Sequence, residues 1–79
     1  MSRLKHGPVL LGILLHNVGN EAVLKGKVVP RLGVKAYDEE LNYVGYVTNI
    51  FGPINSHFVA IKLITDKKYP QSSKFYIME

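Results

Sequence analysis

The sequence has no cysteine and no tryptophan. The missing cysteine excludes a disulfide framework and thiolate chemistry. Arginine is scarce: only Arg3 and Arg31 stand among the ten basic residues. A dedicated nucleic-acid binder clusters Arg and Lys on one face, whereas here the basic residues are scattered. No apolar run approaches the ~20 residues needed to span a bilayer, so no membrane partner is expected. No stretch shows the sustained 3.6-residue apolar period, with cap and stop, that marks a helix.

The chain has 79 residues, 47% of them hydrophobic, and a net charge of +4. That length suits one small domain, and the apolar content is too high for a disordered chain. Residues 1–79 are read as a single domain with its core at about residues 8–78. The apolar run Val9–Leu15 after Arg3 and Lys5 loosely imitates a signal peptide. It is followed by His16-Asn17-Val18-Gly19, which offers no small-x-small cleavage site, so the run is read as a strand.

Val, Ile, Thr and the aromatics make up 25 of the 79 residues, a strand-forming composition. Glycine recurs mostly every seven residues from Gly7 to Gly52. The intervening residues do not repeat, which argues for short strands broken by turns rather than a solenoid. Six strands are predicted: Val9–His16, Glu21–Lys25, Val34–Tyr37, Tyr43–Ile50, Phe58–Ile64 and Lys74–Met78. Six short strands without a helix imply an all-β fold, a small closed or nearly closed barrel that leaves no sticky edge. A two-sheet sandwich is the alternative.

In the fifth strand Val59, Ile61 and Leu63 are expected in the core, with Phe58, Ala60 and Lys62 outside. The fourth strand alternates less cleanly. Val44, Tyr46 and Ile50 fall on one side of the pleat and Tyr43, Val47 and Phe51 on the other. Gly45 within it signals a bulge or a close backbone approach. Adjacent strands apolar on both sides hold more than a small interior can take, and the surplus is expected to form a partner-binding patch.

The segment Tyr43-Val44-Gly45-Tyr46-Val47-Thr48-Asn49-Ile50-Phe51-Gly52-Pro53-Ile54 resembles a signature of the GAR-type protein of H/ACA ribonucleoproteins. Leu11–His16, Val29–Gly33 with Tyr37-Asp38, and Phe58–Lys62 are similar to its other strand segments. The chain departs from the pattern at Asn49, often Asp, and at His57-Phe58, often Pro-Tyr. The resemblance implies a six-stranded barrel similar to translation-factor second domains. It also implies a non-catalytic subunit of an RNA-guided pseudouridine synthase particle, with no cofactor. Such a subunit docks on the dyskerin-type catalytic subunit, meets guide and substrate RNA indirectly, and assists substrate loading and turnover in rRNA pseudouridylation and ribosome biogenesis. Lacking Arg-Gly-Gly repeats, the chain resembles the short archaeal form. The expected location is cytoplasmic for an archaeal protein and nucleolar for a eukaryotic one.

The candidate protein-binding residues are Gly45, Tyr46, Ile50, Phe51, Gly52, Pro53, Ile54, Phe58 and Ala60, with Val29 and Pro30 at the rim. On pattern alone Phe51 reads as a core aromatic at a Gly-Pro turn; the resemblance is what turns the segment into a partner-docking loop. The histidines His6, His16 and His57 lack the spacing and the companion ligands of a metal site. Asp38, Glu39, Glu40 and Asp66 are read as solvated turn carboxylates, with no catalytic constellation near them. The densest basic cluster is Lys62, Lys67, Lys68 and Lys74, read as a soluble turn or a weak attraction to RNA. Direct RNA binding through Tyr43, Tyr46 and Tyr76 and an assembly-factor role in the same particle are the alternatives.

Overall fold

A computed structural model describes residues 7–78. Strands and turns account for the secondary structure there, with no helix among the described residues. The strands are β1 (Pro8–Val18), β2 (Glu21–Gly26), β3 (Lys35–Tyr37), β4 (Tyr43–Phe51), β5 (Phe58–Leu63) and β6 (Lys74–Met78). All neighbouring pairs are antiparallel, and the order β1-β2-β5-β4-β3-β6 closes on itself as a barrel. The closed form of the expected fold is therefore the observed one, not the sandwich. Arg3, Lys5 and His6 lie outside the described residues.

Closure follows from local chemistry. β1 meets β2 through a two-residue turn, Val18 pairing with Glu21. Gly19 stands at its first position with φ +61°, the backbone that a tight hairpin turn demands and glycine adopts freely. β1 pairs with β2 on one side and β6 on the other, and its register shifts at Leu14/His16 and Leu10/Gly12. Such bulges bend and twist a strand, letting one long element serve two neighbours. The seam between β3 and β6 is short: Tyr37 opposite Tyr76.

The interior is filled by Leu11, Leu14, Leu24, Val47, Val59, Ile61 and Phe75, all fully buried. Each such side chain contributes roughly 1.5–3 kcal/mol. Val59, Ile61 and Leu63 are buried as period-2 alternation requires. Lys62 is exposed and Phe58 half-buried, but Ala60 is only 6% exposed. Ala60 is small and lies between its partners Val23 and Asn49, so it is covered rather than presented.

β4 corrects the simple pleat. Val44, Val47 and Ile50 all pack on the core, while Tyr43 and Phe51 are exposed and Tyr46 half-buried. A register shift against β5 between Val47 and Asn49 inserts one residue, so Ile50 returns to the inner side three positions after Val47. A second shift, against β3, lies between Ala36 and Tyr37 beside Gly45 and Val44. Gly45 meets both of its sequence expectations, since it neighbours the bulge and a Cβ there would run into the Lys62 carbonyl oxygen.

The turn after β3 holds another correction. Asp38 is 4% exposed and not solvated. Its Oδ1 accepts from the backbone N–H groups of Glu40 at 2.9 Å and Asn42 at 3.0 Å. Its Oδ2 accepts from the Tyr69 hydroxyl at 3.1 Å. Glu39, Glu40 and Asp66 are exposed, as expected of turn carboxylates.

Candidate partner-binding site

One end of the barrel gathers the apolar surplus. Phe51 and Phe58 are directly paired across β4 and β5, and their rings stack at 5.5 Å. Phe51 is 42% exposed and forms no part of the core, so the packing reading of this residue does not apply. The Lys25 ammonium sits 5.9 Å from the Phe58 ring centroid, at the outer limit of a cation–π contact.

The loop joining β4 to β5 is shaped by its glycine and proline. Gly52 has φ +96°, and a Cβ there would meet the Phe58 ring at 3.0 Å. Any other residue would be strained and would press on the stack. The Ser56 N–H then donates to the Pro53 carbonyl at 3.0 Å, closing a turn with Ile54 at its corner. Ile54 is consequently 84% exposed. A large aliphatic side chain held at a turn corner by a preceding proline is costly in water and pre-ordered for contact.

His57 ties this loop to the one following β2. One ring nitrogen lies 2.7 Å from the Val28 carbonyl, and the His57 carbonyl accepts from the Gly26 N–H at 3.0 Å. Val29, 68% exposed, is thereby held beside the β4–β5 loop. Leu32, in the same segment, is also exposed. A lone leucine between Arg31 and Gly33 carries no pattern that would single it out as a site residue. Asn49 lies in the β4 bulge, where its Oδ1 accepts from the Ile50 N–H at 2.9 Å.

Phe51, Gly52, Pro53, Ile54, Phe58 and Val29 thus share one end of the barrel and reach solvent. Tyr46 is half-buried further along β4, and Ile50 packs against the core. Gly45, Ala60 and Pro30 are buried and offer no contact surface, so their part in any site is internal support. Gly45 and Ala60 are sealed by neighbouring strands.

The lysines proposed as one cluster are divided. Lys68 donates to the Gly19 carbonyl at 2.9 Å, and Lys67 lies 5.0 Å from the Tyr69 ring centroid. Lys67 and Lys74 border a cleft of about 210 Å³ with Asp38, Glu39 and Glu40, so acidic groups offset them. No group of three or more His, Cys, Asp or Glu side chains could hold a metal among the described residues.

Two ionisable groups are perturbed, both away from the aromatic end. Burial acts to raise the Asp38 pKa, but the Asn42 and Glu40 N–H bonds and the Tyr69 hydroxyl outweigh it, leaving the carboxyl below its ordinary value. Burial, the hydrogen bond to Asp38 and its negative charge push Tyr69 up to about 12. This pair joins two connections, the turn after β3 and the segment between β5 and β6.

The sequence model of the Gar1/Naf1 RNA binding region matches residues 9–79. A solved structure described as the Gar1 domain of Naf1 superposes with a TM-score of 0.76 at 24% identity, covering 99% of this chain and 90% of that one. That likeness speaks for the fold. No curated protein sequence matches the chain. With nearly its whole length matched, the chain belongs to the Gar1/Naf1 RNA-binding-region family.

Proposed function

We propose that this protein is a non-catalytic subunit of an H/ACA RNA-guided pseudouridine synthase particle and docks on its catalytic subunit through the Phe51–Phe58 end. Membership of the Gar1/Naf1 family implies an H/ACA-related, RNA-binding role. The observation that carries the docking reading is the exposed cluster of Phe51, Ile54 and Val29 on two loops locked together by His57. Buried aromatic and aliphatic anchors supply most of an interface's energy, and stiff loops lower the ordering cost. The subunit then assists substrate RNA loading and release by binding one state of a mobile element of the synthase more tightly than another, the only way a ligand shifts such an equilibrium.

The test is calorimetric titration of this protein into a purified dyskerin-type synthase without RNA, with wild type and Phe51→Ala in parallel. Stoichiometric binding that weakens at least about tenfold, or 1.4 kcal/mol, in a still-folded variant supports the reading. Undetectable wild-type binding overturns it for that partner.

A further inference from the structure

Toward the other end of β4 the outer surface has a different chemistry. Tyr43 on β4 pairs with Tyr37 on β3, and Tyr37 pairs in turn with Tyr76 on β6. The three tyrosines therefore form one cross-strand row, with the Tyr37 and Tyr43 ring centroids 6.1 Å apart. Their chain neighbours Ala36, Val44 and Phe75 are buried, consistent with the tyrosine rings lying on the outer side of the sheet. In the next row Tyr46 pairs with Lys35 on one side and Lys62 on the other. The Lys35 ammonium sits 5.3 Å from the Tyr43 ring centroid.

We infer that this tyrosine–lysine face, built by Tyr37, Tyr43, Tyr46, Tyr76, Lys35 and Lys62, binds single-stranded RNA. Bases stack on aromatic faces regardless of sequence, and neighbouring cations track the phosphates. Tyrosines on adjacent strands have the spacing of a stacking platform, since strands lie roughly 4.8 Å apart. Charge agrees: the protein carries +4 overall, and Lys35 and Lys62 are exposed. The acidic groups nearby bound the face rather than fill it. Glu21 is the cross-strand partner of Lys62 on β2, and Glu39 accepts from the Lys74 backbone N–H at 3.0 Å.

The face does not overlap the docking end. Tyr43 and Phe51 are the two termini of β4, roughly 25 Å apart at strand rise. The inference goes beyond the docking reading and does not rest on it. One chain would hold its protein partner at the Phe51 end of β4 and a strand of RNA across β3, β6 and the Tyr43 end of β4.

The experiment measures anisotropy of a labelled single-stranded oligouridylate titrated with the full chain at low salt, with an RNA duplex alongside. Wild type is compared with a Tyr43→Ser/Tyr76→Ser double variant and with Tyr43→Phe/Tyr76→Phe, each checked by its melting curve. The single strand is expected to bind in preference to the duplex. The serine pair should lose about tenfold or more in affinity and the phenylalanine pair should retain it, because stacking needs the ring and not the hydroxyl. Should the serine pair fail to fold, Lys35→Ala/Lys62→Ala supplies the reading, with a salt slope reduced by about 1.4 for a single strand. Absence of wild-type binding, or unchanged binding in a folded serine pair and in the lysine pair, overturns the inference. So does a serine pair that keeps RNA but loses the synthase, since the face is then a protein surface. Failure of Phe51→Ala to weaken the synthase complex would count against the docking end alone.

Discussion

The Tyr69 hydroxyl donates to the Asp38 carboxylate at 3.1 Å across 31 positions of sequence, fastening the β5–β6 connection to the turn that leads into β4. The Tyr69 ring also meets Phe75 edge-on at 5.1 Å, so one side chain serves the core and the turn together.

Removing that hydroxyl should therefore be felt. Tyr69→Phe keeps the ring and loses a hydrogen bond to a charged, buried acceptor, a change expected to cost about 1.5–3 kcal/mol. For a domain of this size each kcal/mol lowers the melting temperature by roughly 4–8 °C. Thermal unfolding followed by circular dichroism checks it, and an unchanged melting temperature would contradict the assigned role.

The pH dependence has two limbs with opposite causes. Asp38 is held below its ordinary pKa, so its contribution is present above the unfolded value near 3.8 and is lost as pH falls through the lower folded value. Tyr69 is raised from 10.0 to about 12. The unfolded chain therefore releases this proton first, and stability declines as pH rises through that interval. Denaturant midpoints measured across both ranges should fall at each extreme, and Tyr69→Phe should flatten the alkaline limb.

Gly45→Ala should be severe, because its Cβ would strike the Lys62 carbonyl oxygen, a backbone atom that moves only if β4 and β5 part. A loss of about 1–3 kcal/mol or more is expected from such overpacking. Gly7→Ala, where nothing lies within 4 Å, should change stability little. Equal melting temperatures for the two variants would refute the close-approach account.

Phe51→Ala should separate stability from binding. The side chain is 42% exposed and stacks on Phe58 alone among the aromatics, so the fold should lose only about 1 kcal/mol. The synthase complex should weaken by a factor of about ten or more. His57→Ala should also weaken that complex by releasing the loop bearing Val29, with no docking side chain removed. A complex indifferent to His57→Ala would mean that the two loops act independently.

Much of the barrel was legible because its strands obey simple alternation. The β5 residues Val59, Ile61 and Leu63 announce their burial, and β6 has its predicted limits. β3 begins at Lys35 rather than Val34 and β5 stops at Leu63 rather than Ile64, yet Val34 and Ile64 still hydrogen-bond to β4. What alternation could not give was its own interruption. The bulge at Val47/Asn49 reassigns Val47 and Ile50 to one side, and no residue there is a bulge-former by type. The burial of Asp38 leaves no mark in the sequence because its partner Tyr69 is 31 positions away, so only the folded topology reveals that the turn is covered. At the site, Gly52 and Pro53 gave away the loop, whereas the burial of Pro30 and the exposure of Leu32 depend on how the β2–β3 segment lies over the barrel.

The brief β3–β6 seam gives the closed sheet a preferred place to breathe. With Tyr37 opposite Tyr76 as its pairing, fewer hydrogen bonds must break there than at any longer ladder. Amide exchange along β3 should accordingly outpace exchange along β2 and β5. A polymer lying across Tyr37 and Tyr76 would span the two lips of that opening and slow it, so the protein's own fluctuations would report occupancy of its surface.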